Sequence, residues 1–278
     1  MQLVIGECVI DLSAVADLPT AAIAFVQASL NPVPDLVIQS NTAARSLIGQ
    51  RCFIAEPVWE LRQSATQNQV VWHDVAAATI MATLTSNPGW PRHAVLSHAD
   101  HVGATALLFD YPLLQLALMD YFAVHTAGLL HACAVLDGDH TVLLVGPPEV
   151  GKSTSARLWH TAGATILSDD RIVVRQRAER LWAYGTPWHS STPLVSPAAA
   201  PIKALLFLQH GATNHATPLT AAAAMRRLLP ELYLPLWDAV AVEQVLGLAD
   251  QIVAQIPCYQ FAFVPNASAV DYVRKLLR

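Results

Sequence analysis

The sequence predicts an α/β protein in two parts, a smaller, mostly β N-terminal domain over residues 1–110 and a larger α/β domain over residues 111–278. Short apolar segments separated by turn residues fill the first part. In the second part a buried strand leads into a glycine-rich loop and a helix, and a later apolar segment ends in two aspartates. A chain of 278 residues is long enough for one large domain or two ordinary ones.

The first 110 residues predict short strands connected by turns. The strands are predicted over residues 2–10, 21–27, 35–39, 51–55, 69–72, 78–84 and 102–109. A turn is predicted at residues 86–91 (SNPGWP), where proline and glycine break the strand pattern. These segments carry neither an internal repeat nor a recognisable chemical motif.

The junction between the two parts predicts a buried helix. Asp110 is a good N-cap, and the helix is expected to run to His125. The most apolar window of the chain, residues 111–130, is interrupted by Gln115, Asp120 and His125. Because a spanning helix would have to bury these polar groups in lipid, a core helix is the better interpretation.

Composition argues against several classes of partner. The net charge of −5 and the scattered basic residues give no basic stripe for nucleic acid. The N-terminus lacks the basic and apolar regions of a secretory signal. The widely spaced cysteines are typical of reduced thiols in a cytosolic protein: Cys8, Cys52, Cys133 and Cys258. We therefore expect a cytoplasmic protein that binds neither membrane nor nucleic acid.

The second part is organised around a glycine-rich loop, here named the GKS loop (residues 146–153, GPPEVGKS). Residues 141–145 predict a buried strand before it, and residues 153–160 the first turns of a helix after it. In this context glycines let the backbone fold around a polyphosphate, while the helix N-terminus adds partial positive charge. Lys152 is expected to reach the phosphates, and the Ser153 hydroxyl to bind Mg²⁺. The predicted nucleotide-binding residues are Gly146, Pro147, Pro148, Glu149, Val150, Gly151, Lys152, Ser153 and Thr154.

Two carboxylates follow the next predicted strand. Residues 163–170 (GATILSDD) end in Asp169 and Asp170, and the carboxyl ends of strands in an α/β sheet share one edge. Because successive side chains on a strand point to opposite sides, one carboxylate can bind the metal while the other takes a proton from an acceptor hydroxyl. The alternative interpretation is a polar turn that opens a hairpin.

A histidine precedes the GKS loop. Residues 129–136 predict a strand that contains His131, and residues 137–140 (DGDH) predict a hairpin turn into the strand at 141–145. Taken alone, this pattern favours a buried, hydrogen-bonded core histidine over a catalytic one.

The remainder of the chain alternates strands and helices. Strands are predicted over residues 171–176, 181–184, 202–209 and 258–264, and residues 185–193 form a loop. Helices are predicted over residues 221–229, 237–256 and 269–277, with Thr220 and Ser268 as N-caps of the first and last.

Taken together, Leu130-His131, the GKS loop and Ser168-Asp169-Asp170-Arg171 resemble the catalytic domain of HPr kinase/phosphorylase. That family places a histidine before a G-x-x-x-x-G-K-S loop and an Asp-Asp pair on the following strand. The resemblance covers about residues 111–275 and implies a fold shared with phosphoenolpyruvate carboxykinase. Residues 184–189 (YGTPWH) are similar to a segment of HPr-kinase-related proteins encoded beside peptide-modification genes, including lasso-peptide clusters.

The resemblance implies an ATP-dependent kinase that phosphorylates a serine of a peptide or small protein, with a lasso-peptide precursor as one candidate acceptor. Asp169 would accept the serine proton, and Ser153 and Asp170 would hold Mg²⁺. His131 would orient or charge-couple Asp169, which reverses the interpretation of the histidine taken alone. Lys152 would contact the phosphates.

The resemblance also places Trp188 and His189 beside the acceptor, and it suggests a homo-oligomer because HPr kinases are oligomers. The chain departs from the family pattern at Thr154, where HPr kinases carry an acidic residue, and at Ser190-Ser191, where the related peptide kinases have Gly and an acidic residue. A clear counterpart of the C-terminal segment used in phosphorolysis is missing, which argues for the kinase direction.

Two other functions stay open. The same residues could serve a kinase of a small molecule, such as a free amino acid or a sugar, or a nucleotide-sensing module with little turnover. A metabolite needs a closed pocket with charged anchors. Residues 188–191 include neither Arg nor Lys, which favours a peptide acceptor.

Overall fold

The structure is a computed structural model that describes residues 1–12, 15, 17–27, 33–43, 46–89, 92–99, 101–110 and 112–278. Its residues divide into two compact units, 1–121 with 235–239 and 122–234 with 240–278. The sequence placed the boundary between residues 110 and 111, whereas the compact units divide between residues 121 and 122. The predicted mixed α/β architecture is confirmed, with a large sheet in each unit.

The first unit contains an eight-stranded sheet. Its strands are β1 (Gln2–Ile5), β2 (Cys8–Asp11), β3 (Leu36–Asn41), β4 (Gln50–Ala55), β5 (Trp59–Gln63), β6 (Asn68–Asp74), β7 (Thr79–Ser86) and β8 (Arg92–His98). They are ordered β1-β2-β3-β8-β7-β6-β5-β4. The first hairpin turns at Gly6-Glu7, and both residues have positive φ (57° and 68°), as a two-residue turn between twisted strands requires.

Several predictions for this unit are wrong. Residues 102–109 form helix α2 (Ala104–Phe109) instead of a strand, and Asp110 is its C-cap instead of the N-cap of the next helix. Residues 21–27 contain a short helix, α1 (Thr20–Ile23), instead of a strand. Apolar runs of this length suit a buried helix as well as a buried strand, so periodicity alone did not separate the two.

The predicted core helix is confirmed as α3 (Leu113–Val124), which is buried along most of its length. Gln115 is buried, and the Asp120 carboxylate accepts hydrogen bonds from Arg92 (3.3 Å) and from the indole Nε1 of Trp237 (3.0 Å). In the described part of the chain, no helix has both the length and the apolar character needed to cross a bilayer.

The second unit is built on a second eight-stranded sheet with helices packed against it. Its strands are β9 (Ala127–Asp137), β10 (His140–Val145), β11 (Thr165–Ser168), β12 (Arg171–Arg177), β13 (Arg180–Tyr184), β14 (Ala199–His210), β15 (His215–Pro218) and β16 (Cys258–Phe263). Its helices are α4 (Lys152–Thr161), α5 (Ala221–Leu228), α6 (Ala239–Gln255) and α7 (Ala267–Leu276), and a 3-10 turn covers Leu229–Glu231.

Most predicted elements of this unit are confirmed, including the two hairpins and the strand that leads into the GKS loop. Thr220 caps α5, as predicted, by accepting a hydrogen bond from the backbone N–H of Ala223. The prediction that Ser268 caps the last helix is wrong: α7 begins at Ala267, and the side chain of Asn266 caps it. Strand β15 was not predicted because its sequence, HATP, is short and polar.

The long strand β9 pairs with three other strands of this sheet. Its first half pairs with β12, while its second half lies between β10 and β11. Strand β10 also pairs in parallel with β14, and β14 in parallel with β16. Strand β10 is covered on both faces, so its side chains alternate between two hydrophobic cores. Val142 and Leu144 pack in the core with α4 and α7. Leu143 and Val145 pack in the core with α5 and α6.

Candidate functional site

The GKS loop leaves β10 at Gly146 and enters α4 at Gly151. Both glycines have positive φ, 150° at Gly146 and 108° at Gly151, which L side chains rarely adopt. A Cβ atom at Gly151 would lie 2.7 Å from the ring of Phe263 on β16, so this position has no room for a side chain. The backbone therefore requires glycine here both for its φ angle and for its close approach to β16.

Lys152 begins helix α4 and folds back over the loop. Its Nζ donates hydrogen bonds to the carbonyl oxygens of Gly146 and Pro147, the second at 3.1 Å. Burial lowers the pKa of Lys152, while the nearby carboxylates of Glu231 and Asp170 oppose this shift. The ammonium is thus held inside the loop by carbonyls, which a phosphate oxygen could replace as its partner.

The register of β9 brings the predicted residues together. Ala132 lies opposite Val145, the last residue before the loop, and His131 lies opposite Arg171, the first residue of β12. The backbone N–H of Ala132 donates to the carbonyl oxygen of Asp170 at 3.1 Å. One strand therefore places both the histidine and the two aspartates next to the start of the loop.

Asp169 is buried to 1% exposure, and a serine from the 185–193 loop contacts both of its carboxylate oxygens. The Ser190 backbone N–H donates to Oδ1 at 2.8 Å, and the Ser190 hydroxyl donates to Oδ2 at 2.9 Å. The Ser190 Oγ also lies 2.9 Å from the Oγ of Ser153. A continuous hydrogen-bonded chain therefore runs from Ser153 through Ser190 to Asp169.

Asp170 faces a different set of partners. Its Oδ1 lies 3.1 Å from His131 Nδ1, and its Oδ2 accepts a hydrogen bond from Arg171 Nη1 at 2.7 Å. Arg171 Nε in turn donates to the Tyr233 hydroxyl at 3.1 Å. Burial would raise the pKa of Asp170, but the hydrogen bond from His131 and the charge of Arg171 outweigh it and lower the pKa. The carboxylate is thus held in its ionised form.

His131 is bonded to Asp170 and not to Asp169, the carboxylate that it was predicted to orient. His131 Nδ1 contacts Asp170, at 3.1 Å to the side-chain Oδ1 and 3.0 Å to the backbone oxygen. The β9–β12 register explains this, because it sets His131 opposite Arg171 and therefore beside Asp170. The histidine positions the second aspartate of the pair.

A cavity of about 380 Å³ opens over the start of α4. The residues that line it are His131, Pro148, Glu149, Gly151, Lys152, Ser153, Thr154, Arg157, Asp169, Ser190 and Ser191. Most of the predicted nucleotide-binding residues thus meet Asp169 and His131 at one cavity. Arg157 was not predicted as a site residue, although its spacing of four residues from Ser153 puts both on one face of α4.

The two predicted acceptor-side residues do not line this cavity. Trp188 is buried, and its backbone oxygen accepts a hydrogen bond from the Ser168 hydroxyl at 2.6 Å. His189 is exposed, and its ring Nδ1 lies 3.1 Å from the Ser190 oxygen. Their loop instead brings Ser190 and Ser191 to the cavity, so the predicted acceptor-side loop reaches the site through the residues that follow Trp188 and His189.

A buried carboxylate that was not predicted from the sequence also acts on Lys152. Glu231 ends the 3-10 turn Leu229–Glu231, and its charge raises the pKa of Lys152 against the effect of burial. It lies 79 residues beyond Lys152 (231 − 152), in a segment whose sequence, LPE, resembles an ordinary helix end. Only the fold brings this carboxylate near the lysine.

The residues present fit a nucleoside triphosphate with Mg²⁺. The tight glycine turn leads into a helix N-terminus, the usual place for phosphate binding, with the cations Lys152 and Arg157 at the same cavity. Mg²⁺ prefers hydroxyl and carboxylate oxygens, and Ser153 supplies a hydroxyl at this cavity. The predicted metal-side carboxylate, Asp170, follows the cavity-lining Asp169 but is not among the lining residues, and it is bonded to His131 and Arg171.

Comparison with known proteins gives little further support. No protein-family model and no curated protein matches the sequence. Among the solved structures that match is the Hpr(Ser) kinase/phosphatase from Coxiella burnetii, with 12% sequence identity over 53% of this chain and 97% of that chain. The TM-score is 0.32, so this likeness supports no conclusion about fold or function.

Proposed function

We propose that this protein is an ATP-dependent kinase that uses Mg²⁺ and transfers the γ-phosphate to a serine hydroxyl of a peptide or small protein. One observation carries the proposal: Ser153, Ser190 and Asp169 form a hydrogen-bonded chain at the cavity that Lys152 also lines. Phosphoryl transfer needs a phosphate cradle, a metal ligand and a base for the acceptor hydroxyl. All three kinds of group are present here.

The phosphate side of the proposed site is the GKS loop with the first turn of α4. The loop amides and the helix N-terminus would bind the phosphate oxygens, in a phosphoenolpyruvate-carboxykinase-like arrangement of the loop. Lys152 would exchange its hydrogen bonds with Gly146 and Pro147 for a phosphate oxygen. When bound, Mg²⁺ would neutralise negative charge on the phosphates, with Ser153 and the predicted metal-side Asp170 as the residues assigned to hold it.

The acceptor side is Asp169 together with the loop that carries Ser190. Asp169 Oδ2 already accepts a hydrogen bond from a serine hydroxyl at 2.9 Å, the contact that a general base needs with an acceptor. In this proposal Asp169 takes the proton of the acceptor serine. His131 and Arg171 act on Asp170, holding it in place and in its ionised form.

The positions of the cationic side chains at the cavity favour a peptide acceptor over a metabolite. Lys152 and Arg157 line the cavity from the loop and α4, the proposed phosphate side. The acceptor-side loop, residues 188–191, contributes Ser190 and Ser191 to the lining and carries neither Lys nor Arg. A small charged substrate would need cationic or anionic anchors on that side. A short precursor peptide with a serine, as in lasso-peptide clusters, is the acceptor we propose to test first.

The proposal is tested with purified protein, ATP·Mg²⁺ and a panel of acceptors. Nucleotide affinity is measured by calorimetry, and transfer by radiolabel in serine peptides, in free serine and in simple sugars. We expect saturable nucleotide binding and label in at least one serine peptide. Lys152→Ala should weaken both nucleotide binding and transfer, with Lys203→Ala, an exposed lysine of β14 that does not line the cavity, as the matched control.

Three results would redirect the proposal. Label in free serine or sugar alone would favour the small-molecule kinase. Nucleotide binding without transfer to any acceptor would favour the nucleotide-sensing module. Failure of the wild-type protein to bind any nucleoside triphosphate with Mg²⁺ would contradict the whole proposal.

A further inference from the structure

We propose that Ser190 is a phosphorylation site of this protein itself, modified in the same chain by the site it occupies. The inference rests on the proposed kinase function and adds an acceptor to it. Ser190 is an exposed residue of the 185–193 loop, yet its hydroxyl reaches the buried Asp169 carboxylate. A serine hydroxyl hydrogen-bonded to the proposed base is placed as an acceptor serine would be.

Three contacts hold Ser190 there. Its hydroxyl donates to Asp169 Oδ2 at 2.9 Å, its backbone N–H donates to Asp169 Oδ1 at 2.8 Å, and its Oγ lies 2.9 Å from Ser153 Oγ. Because the Ser190 proton is directed to Asp169, the Ser153 hydroxyl must donate in the third contact. An Oγ lone pair of Ser190 is thus directed to the side of the GKS loop, and its proton to the carboxylate.

The loop around Ser190 is fixed by further contacts. The Ser168 hydroxyl donates to the carbonyl oxygen of Trp188 at 2.6 Å, and the Trp188 side chain is buried. The segment before Ser190 is therefore attached to the end of β11, the strand that also delivers Asp169. Such pre-positioning removes much of the entropic cost of bringing an acceptor to the base.

The chemical step balances with a nucleoside triphosphate as the co-reactant. The Oγ–P bond forms at Ser190 while the bond between the γ-phosphorus and the β,γ-bridging oxygen breaks. The bridging oxygen leaves on the nucleoside diphosphate with the electron pair, and the Ser190 proton passes to Asp169. The product is phosphoserine at position 190 and a nucleoside diphosphate.

The modification would change the site that makes it. A phosphoserine carries about −1.5 to −2 charges at neutral pH and can no longer donate a hydrogen bond to Asp169. Repulsion between the new phosphate and the Asp169 carboxylate would move Ser190 away from Asp169. Arg157 and Lys152, which line the same cavity, offer cationic partners for the phosphate. Phosphorylation of Ser190 would therefore free Asp169 for an external acceptor.

The test uses the full chain with γ-labelled ATP·Mg²⁺ and no added acceptor. We expect one phosphate per chain, located at Ser190 by mass spectrometry. The rate constant for labelling should not change with protein concentration, because transfer within one chain is first order. Asp169→Asn should slow labelling by about 10²-fold or more.

Two variants separate an acceptor from a merely structural serine. Ser190→Ala should abolish the label, whereas Ser190→Thr should keep a hydroxyl at the carboxylate and give phosphothreonine at position 190. Ser268→Ala, at an exposed serine of α7 outside the cavity, should leave the phosphate at Ser190. Label at Ser191 or elsewhere in the wild-type protein, with none at Ser190, would overturn the inference.

The failure of this inference can be told apart from the failure of the kinase proposal. If the wild-type protein consumes ATP or labels a serine peptide while Ser190 stays unmodified, self-phosphorylation is wrong and the kinase proposal stands. If the wild-type protein neither binds nor consumes a nucleoside triphosphate, both are wrong. A labelling rate that rises with protein concentration would contradict transfer within one chain.

Discussion

Asp169 and Asp170 are consecutive residues at the end of β11, yet they lie in two unlike regions of one site. Asp169 is bonded to the neutral groups of Ser190, on a loop beside the cavity. Asp170 is bonded to His131 on β9 and to Arg171 on β12. The difference shows that adjacent carboxylates become distinct through their partners. The hydroxyl and amide donors on Asp169 can be exchanged for a substrate. The cation on a strand holds the carboxylate of Asp170 in place.

The comparison predicts, first, that removing the charge of Asp169 affects chemistry more than any other change at the pair. Asp169→Asn should lower the transfer rate by about 10²-fold or more, equivalent to about 2.7 kcal/mol, because the acceptor loses its base. Nucleotide affinity should stay near the wild-type value. The measurements are kcat with a serine peptide and calorimetry with ATP·Mg²⁺.

Asp250→Asn, on the exposed face of α6, is the matched control for this charge change and should transfer phosphate at the wild-type rate. A near wild-type rate for Asp169→Asn would show that the proposed base is not Asp169.

The second prediction concerns folding stability. Asp170→Ala should lower the free energy of unfolding by about 2 kcal/mol, because it leaves His131 and Arg171 without their shared carboxylate. Urea unfolding at neutral pH measures the loss, with Asp250→Ala as the exposed control. A loss no larger than that of the control would mean that the His131–Asp170–Arg171 contacts contribute nothing to folding.

The third prediction is the pH dependence of that contribution. The pKa of Asp170 is lowered in the folded protein, so its stabilisation is fully present above the unfolded pKa of about 3.9 and is lost as pH falls through the folded pKa. The stability difference between wild type and Asp170→Ala should therefore shrink as the pH is lowered from about 5 towards 3. A stability difference that grows on acidification would contradict a lowered pKa of Asp170 in the folded protein.

The smallest effect on stability is expected at Tyr233, which reaches the aspartate pair only through Arg171. Tyr233→Phe removes the hydroxyl that accepts from Arg171 Nε and should cost about 1 kcal/mol of unfolding free energy. The transfer rate should change little, since Asp169 and its partners are untouched. A large loss of transfer with normal stability would instead give Tyr233 a role in the chemistry.

The GKS loop and the elements around it could be predicted because their signal is local. Glycines at positions 146 and 151 are required by the φ angles that the loop adopts, and the strand and helix on either side follow from short-range patterns. The same holds for the cap at Thr220. In contrast, β5 and β8 were missed because their polar residues, including Glu60, Arg62 and His93, hide the strand pattern.

The partners inside the site could not be predicted because they depend on register and on loops. That His131 contacts Asp170 follows from the pairing of β9 with β12, which the sequence does not specify. Ser190 meets Asp169 across 21 residues, and Glu231 approaches Lys152 from a turn much later in the chain. Sequence patterns indicated which residue types were present, whereas the fold decided which of them meet.

The most direct test of the central claim is hydrogen exchange with a non-hydrolysable ATP analogue and Mg²⁺. If the GKS loop binds the phosphates beside Asp169, amide exchange should slow in residues 146–154 and change around residue 190, where Ser190 is bonded to Asp169. The strands of the first unit, including β6 and β7, should exchange at unchanged rates. An exchange pattern that the nucleotide leaves unaltered over residues 146–154 would contradict the account.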